Sequence, residues 1–340
     1  MRRALYWLPL LAALLCLPVS AAEPVLEIEE RVLADGQLRE LCWLTVDMSE
    51  NTILLATPDN DADNDGGGGT GASLLSMAES AEKAGYRVLA AVNGDFYKTP
   101  SDGDASFAQY ALLGPMMKDG QWISNGQGTE GSTWFGVTRD GKAAMGRADA
   151  EGDWHSVRAN LQDAIGGELL LIHKGESRLA ELRWRTDSAT LSARYGSEGR
   201  ALDETGMPLP SLTAHPRSAV GILENGDVVF LCASVGYDTP GLTIAQLTEL
   251  LLERGCVEAM NLDGGPSSQM AVLRDSELTQ LREQGISRRI GGGLLVVELE
   301  KGEAQEPSIG LTLLISIPVG ILGGVFLGRR IAKKRIKKHR

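Results

Sequence analysis

The 340-residue sequence is poor in the side chains from which most metal and nucleophilic centres are built. It has only four cysteines and four histidines. No HExxH stretch occurs, and the cysteine spacings match no zinc motif. Outside the C-terminal tail only His155, His173 and His215 remain, so a histidine-based metal centre is thinly supplied. "GVTRDGKA" (136–143) has Ala143 where a phosphate-binding loop needs Ser or Thr for magnesium, and its Asp-Gly reads as a hairpin turn. That sets nucleotide hydrolysis aside. "GPSSQ" around Ser267 lacks the second glycine of a nucleophile elbow. Positive charge is also short, with a net charge of −12. This argues against general binding to nucleic acid, whose affinity rests largely on Lys and Arg against phosphates. One phosphate-containing substrate in a local basic pocket remains compatible with it.

Both chain ends differ from the bulk. "MRRALYWLPLLAALLCLPVSAAEP" has a basic start, an apolar middle and small residues at Val19, Ser20, Ala21 and Ala22. It reads as a secretory signal peptide, residues 1–22, cut after Ala21 or Ala22. Cys16 does not read as a lipoprotein cysteine, because Leu14 and Leu15 stand where small residues are wanted. Residues 308–328, "SIGLTLLISIPVGILGGVFLG", carry no charge, and about 20 apolar residues suffice to cross a bilayer. The tail 329–340 holds eight Lys/Arg and no acid, which keeps it cytoplasmic. The expected order is signal peptide, folded domain (23–299), short stalk (300–307), transmembrane helix and basic tail. The protein is then single-pass in the plasma membrane, with its domain extracytoplasmic. Without the tail and without Arg2 and Arg3, the net charge falls to about −22. Cys42, Cys232 and Cys256 remain after signal removal, and export permits one disulfide among them.

Between the ends the chain reads as β-rich. Asp119-Gly120, Asp140-Gly141 and Asn225-Gly226, each beside apolar runs, signal hairpins. Strands are expected around 41–47, 52–56, 88–93, 111–117, 133–138, 168–173, 218–223, 227–234, 257–262 and 293–299. Helices are expected at 72–84 and 243–254, with Gly85 and Gly255 just past their ends. No internal repeat is seen. The low-complexity loop 60–73 spaces Asp61, Asp63 and Asp65 before Gly66 as a calcium loop begins, but Ala72 replaces the bidentate acid at the twelfth position. A solvated loop and a calcium site both fit. No other cofactor is required.

Three polar patches sit at strand edges: "AAVNGDFY" (90–97), "HPRSAVGI" (215–222) and "NLDGGPSSQM" (261–270). Each has a plain alternative. Asn93-Gly94 fits a simple turn, Arg217 a surface charge, and Asp263 a cap for the turn at Gly264. Together they suit one anionic sugar substrate. Arg217 offers a planar fork for phosphate. Gly264 and Gly265 let backbone N–H groups approach an anion. Asp95 and Asp263 can divide acid and base work at a sugar–oxygen bond. Phe96 and Tyr97 offer a wall to a ring.

In this order the patches "NGDFY", "PRSAV" and "NLDGGPSS" closely resemble the phosphodiester glycosidase family. "LLGPMMKDGQ", "AIGGELLLIHKGE" and "RRIGGGLLVVEL" fit it too, and the resemblance covers about residues 40 to 299. Pro266 stands where that family often has a third glycine. The resemblance implies an α+β fold: one catalytic domain with a mixed, largely antiparallel sheet and a few packing helices. It implies Asp263 and Asp95 as catalytic groups. Asn93, Gly94, Phe96, Tyr97, Arg217, Gly264, Gly265, Ser267 and Ser268 would contact a carbohydrate phosphodiester. The expected activity is hydrolysis of a sugar-1-phosphodiester in envelope or secreted polysaccharide. Two rivals stay open: a non-catalytic envelope polysaccharide-binding or assembly protein, and a calcium-dependent phosphodiesterase using Asp61, Asp63 and Asp65.

Overall fold

Short apolar runs broken by glycine turns dictate a strand-dominated chain. The computed structural model describes residues 22–58, 71–97, 112, 114–124, 132–148, 159–179, 214–234, 239–281 and 288–299. The first elements are β1 (Val25–Val32), β2 (Leu38–Val46), β3 (Asn51–Ala56), α1 (Leu74–Lys83) and β4 (Val88–Asn93). Next come β5 (Met116–Lys118), β6 (Gln121–Ser124), β7 (Ser132–Thr138), β8 (Ala143–Ala148), β9 (Leu161–Gly167), β10 (Leu170–His173) and β11 (Glu176–Ser177). The last are β12 (Arg217–Leu223), β13 (Val228–Ala233), α2 (Ile244–Glu253), β14 (Cys256–Asn261), β15 (Met270–Arg274), β16 (Glu277–Gln280) and β17 (Gly293–Glu298).

Three sheets result, ordered β1-β2-β13-β12-β14-β10-β11, β16-β15-β4-β17-β3 and β6-β5-β9-β7-β8. The first two are backed by one helix each. On the seven-stranded sheet, Leu41, Trp43, Val229 and Leu231 face Leu247 and Leu251 of α2. On the β4-containing sheet, Val88, Ala91 and Leu295 face Leu74 and Met77 of α1. The opposite faces share one core, where Leu44, Phe230 and Met260 meet Val92, Leu294 and Val296. Phe135, Val137 and Ile165 of the third sheet close that core from the side. The helices start where their sequences say. Ser73 accepts from the Ser76 N–H, and Thr243 with Gln246 forms a full capping box.

The expected mixed sheet is corrected. Every strand pairing among the described residues is antiparallel. The reason is an insertion, made twice. β3–α1–β4 is a β-α-β unit whose two strands run parallel, but β17 lies between them. β13–α2–β14 is another, with β12 between its strands. Each unit closes its helix with a glycine at positive φ, Gly85 (102°) or Gly255 (91°). Each then ends its strand on Asn-X-Asp: Asn93-Gly94-Asp95 and Asn261-Leu262-Asp263. The chain therefore does contain a repeated unit, one copy in each large sheet.

The three hairpins appear at the predicted turns, joining β5–β6, β7–β8 and β12–β13. The strand expected at 168–173 is found as β10, and it is preceded by an unexpected strand, β9, which lies in the third sheet while β10 lies in the first. Cys42, Cys232 and Cys256 are buried free thiols. Burial pushes Cys232 and Cys256 up to about 12. The signal segment, the span 308–328, the tail, and Asp61, Asp63 and Asp65 fall outside the described residues. Among the described residues no helix is long and apolar enough to cross a membrane.

Candidate active site

The ends of β4 and β14 come together, so the two Asn-X-Asp turns touch. Asp263 N–H donates to the Gly94 carbonyl at 3.0 Å. Asn93 Nδ2 donates to the Asp263 carbonyl at 2.8 Å. Asn93 Oδ1 accepts from Ser218 Oγ at 2.7 Å and from Gln269 N at 3.0 Å. The Asn93 carboxamide thus ties β4 to the start of β12 and to both sides of the 263–269 turn. Asn261 does similar work at the crossing between sheets. Its Oδ1 accepts from Leu169 N at 2.8 Å, and its Nδ2 donates to buried Glu168 at 3.3 Å.

The two aspartates have different surroundings. Asp95 is only 2% exposed. Its Oδ1 accepts from Phe96 N at 2.8 Å and its Oδ2 from Gly114 N at 2.5 Å. A Cβ on Gly114 or on Gly166 would lie 2.5 or 2.6 Å from that same Oδ2. Both positions must be glycine for the carboxylate to be gripped there. Asp263 is half-buried, and its Oδ1 accepts from Gly264 N at 2.8 Å. Burial pushes its carboxyl up to about 7, against hydrogen bonds from Ser267 and Gly264. The negative charge of Asp95 raises it further, and Arg288 pulls it back.

The other predicted residues gather around Asp263, several of them already engaged. Arg217 is 4% exposed and donates through Nε to the Leu242 carbonyl at 3.0 Å. Gly265 N–H donates to the Pro216 carbonyl at 2.8 Å, and Gly264 N–H to Asp263 itself. A Cβ on Gly264 would meet the Pro216 carbonyl at 2.9 Å, so this glycine allows a close backbone approach. Gly94 is likewise a packing glycine, because a Cβ there would strike Ile165. Phe96 and Tyr97 are half-buried. Tyr97 Oη donates to the Arg289 carbonyl at 2.9 Å, accepts from Arg288 Nε at 3.0 Å, and lies 3.4 Å from Ser267 Oγ. Ser267 and Ser268 are buried, and Ser268 Oγ has no partner among the described residues. A buried orphan hydroxyl beside a half-buried carboxylate is the kind of group that a ligand satisfies.

A phosphodiester glycosidase family model matches residues 86–297, a stretch holding both Asn-X-Asp turns, Arg217 and Arg288. The chain belongs to the phosphodiester glycosidase family. Among its relatives is the N-acetylglucosamine-1-phosphodiester alpha-N-acetylglucosaminidase of Mus musculus. The two are 27% identical over 198 residues, covering 56% of this chain and 33% of that one. The Homo sapiens enzyme of the same name is 26% identical over 203 residues, covering 59% and 35%. The chain thus spans about a third of the length of the curated relatives it matches. The fold is similar to the solved catalytic domain of the zebrafish enzyme, with a TM-score of 0.57 and 20% identity over 82% of this chain and 83% of that one.

In this family member the residues around the two turns that the sequence did not single out are Asn261, Glu168, Gly114, Gly166 and Arg288. Asn261 had a local signal, since it stands in its turn as Asn93 stands in the other. The two glycines show their purpose only against the Asp95 carboxylate. Among the described residues no group of His, Cys, Asp or Glu is placed to hold a metal ion. Chemically, Asp263 is the group able to exchange a proton near neutrality. Asp95, held by Phe96 N and Gly114 N, is the neighbouring carboxylate that raises it.

Proposed function

We propose that the protein hydrolyses the bond between a sugar's anomeric carbon and its phosphate oxygen in a sugar-1-phosphodiester. Water adds its oxygen to C1, and the C1–O bond breaks. The phosphate leaves as a monoester, taking the bonding electron pair. Asp263 accepts the proton of the attacking water. Phosphate is a good leaving group, so the work lies in activating water and in stabilising an oxocarbenium-like state. Asp95 keeps Asp263 basic enough for that task. The observation that carries this reading is the contact between the two Asn-X-Asp turns, through Asp263 N–H to the Gly94 carbonyl and Asn93 Nδ2 to the Asp263 carbonyl, which brings both carboxylates to one place. A polysaccharide-binding protein has no need of two carboxylates beside an anion, so their convergence favours turnover. The relatives' names point to N-acetylglucosamine as the sugar to try first.

The test is incubation of the purified protein with a panel of sugar-1-phosphodiesters in water enriched in oxygen-18. Free sugar labelled at C1 is expected. Label in the phosphate would place cleavage at the P–O bond and end this reading.

The same proposal keeps residues 23–306 outside the cell, with 308–328 in the plasma membrane and 329–340 in the cytoplasm. A terminal run of eight Lys/Arg resists export. Protease added to intact cells is expected to remove the domain and spare a tag placed after Arg340. Loss of that tag reverses the topology. An extracytoplasmic enzyme would meet envelope or secreted polysaccharide first.

A further inference from the structure

The groups that sequence alone nominates for phosphate also hold the fold together. Arg217 is buried and bonded to the Leu242 carbonyl, and the Gly264 and Gly265 N–H groups bond to Asp263 and Pro216. A phosphodiester anion beside two carboxylates, on a chain of net charge −12, still needs a cation to offset the repulsion. Arg288 is exposed, and its charge acts on the Asp263 carboxyl. Its Nε donates to Tyr97 Oη at 3.0 Å, and that oxygen lies 3.4 Å from Ser267 Oγ. Ser267 in turn hydrogen bonds the Asp263 carboxylate. The main chain here is also held. Gln269 Nε2 donates to the Arg288 carbonyl at 3.3 Å, and Tyr97 Oη to the Arg289 carbonyl at 2.9 Å.

We propose that Arg288 receives the substrate's phosphate and makes the enzyme selective for phosphodiesters over uncharged glycosides. The inference rests on the proposed hydrolysis and adds to it the residue that sets leaving-group specificity. With Nε fixed on Tyr97, the planar fork is pre-aligned, and less side-chain entropy is lost when phosphate arrives. Tyr97 is then a positioning residue that acts through Arg288.

Binding separates this inference from turnover. N-acetylglucosamine 1-phosphate and free N-acetylglucosamine are titrated calorimetrically into the protein and into Arg288→Gln. The variant is expected to bind the sugar phosphate about 10- to 100-fold more weakly, with affinity for the free sugar unchanged. Arg288→Lys should restore only part of the loss, because charge returns without the fork. Where the parent enzyme turns over, the Asp263-controlled limb of its pH profile should move upward in Arg288→Gln, since a cation that favours the carboxylate has gone. Equal affinity of parent and variant for the sugar phosphate, or none in the parent, overturns the assignment. Failure to release labelled sugar would count against the proposed hydrolysis and leave the binding result to stand or fall by itself.

Discussion

Asp263→Asn is expected to lower kcat by about 10² to 10⁴ in a protein that still folds. Asparagine keeps the shape and the oxygen that accepts from Gly264 N–H at 2.8 Å. It cannot take up a proton at working pH. The parent enzyme's kcat/KM should climb with pH and level off above about 7, the value at which the Asp263 carboxyl ionises. The residual activity of the variant should be flat across that range. Folding should not suffer. The folded carboxyl sits at about 7, above the ~3.9 of an unfolded aspartate. Such a group favours the folded state below about pH 4, and that contribution is lost as pH climbs through about 7. Removing it should leave the variant at least as stable as the parent at pH 8. Urea unfolding at that pH and steady-state kinetics provide both readings. Near-parental turnover by the folded variant would reduce Asp263 to a turn cap.

Asn93→Ala should instead act on stability, costing about 3 to 6 kcal/mol. Its carboxamide makes four hydrogen bonds, to Gly94, Asp263, Ser218 and Gln269. Ser218 and Gln269 are 0% and 3% exposed, so water does not replace the lost partner. Each stranded buried group costs about 1–3 kcal/mol against a total stability of about 5–15 kcal/mol. Asn93→Asp should be little better. It sets an oxygen against the Asp263 carbonyl and adds a charge beside Asp95 and Asp263. Denaturant unfolding decides the matter. A parental midpoint with a raised KM would make Asn93 a substrate contact instead.

Much of the scaffold was legible because its signals are local. Asp-Gly and Asn-Gly turns fix three hairpins, and Thr243 with Gln246 announces α2. The polar patches were legible as sequence, since each follows or opens an apolar strand. What those groups do was less visible. Gly264 and Gly265 look like open anion-binding amides, yet one packs against Pro216 and both N–H groups are used inside the fold. β9, "LQDAIGG", carries two glycines and an aspartate, poor strand residues on any local scale. It is a strand because Gly166 lets Gly114 and Asp95 come close. β1 is an edge strand with charged residues at Glu27, Glu29, Glu30 and Arg31, so no clean alternation marks it. The recurring β-α-β unit leaves little trace in the sequence, because its two copies share few residues beyond the glycine after each helix and the Asn-X-Asp turn. Arg288 opens "RRIGGGLLVVEL", but nothing in that string gives it a role, and its place beside Tyr97 and Asp263 emerges only in the fold.

The inserted strands also set a timetable. β17 lies between β3 and β4, yet it is made last of all the described strands. Until Gly293–Glu298 leaves the ribosome, β3 and β4 have a vacancy between them, and α1 covers a half-built sheet. Asn93 must likewise wait for partners 125, 170 and 176 residues further on. Distant pairings of this kind are slow to find, on the order of milliseconds to seconds. The β4-containing sheet therefore cannot be completed until its last strand is delivered. A nascent chain halted before β17 should expose apolar β4 and be held by chaperones or degraded. Activity would appear only after the last strand has been delivered, however early the aspartate on the first turn was synthesised.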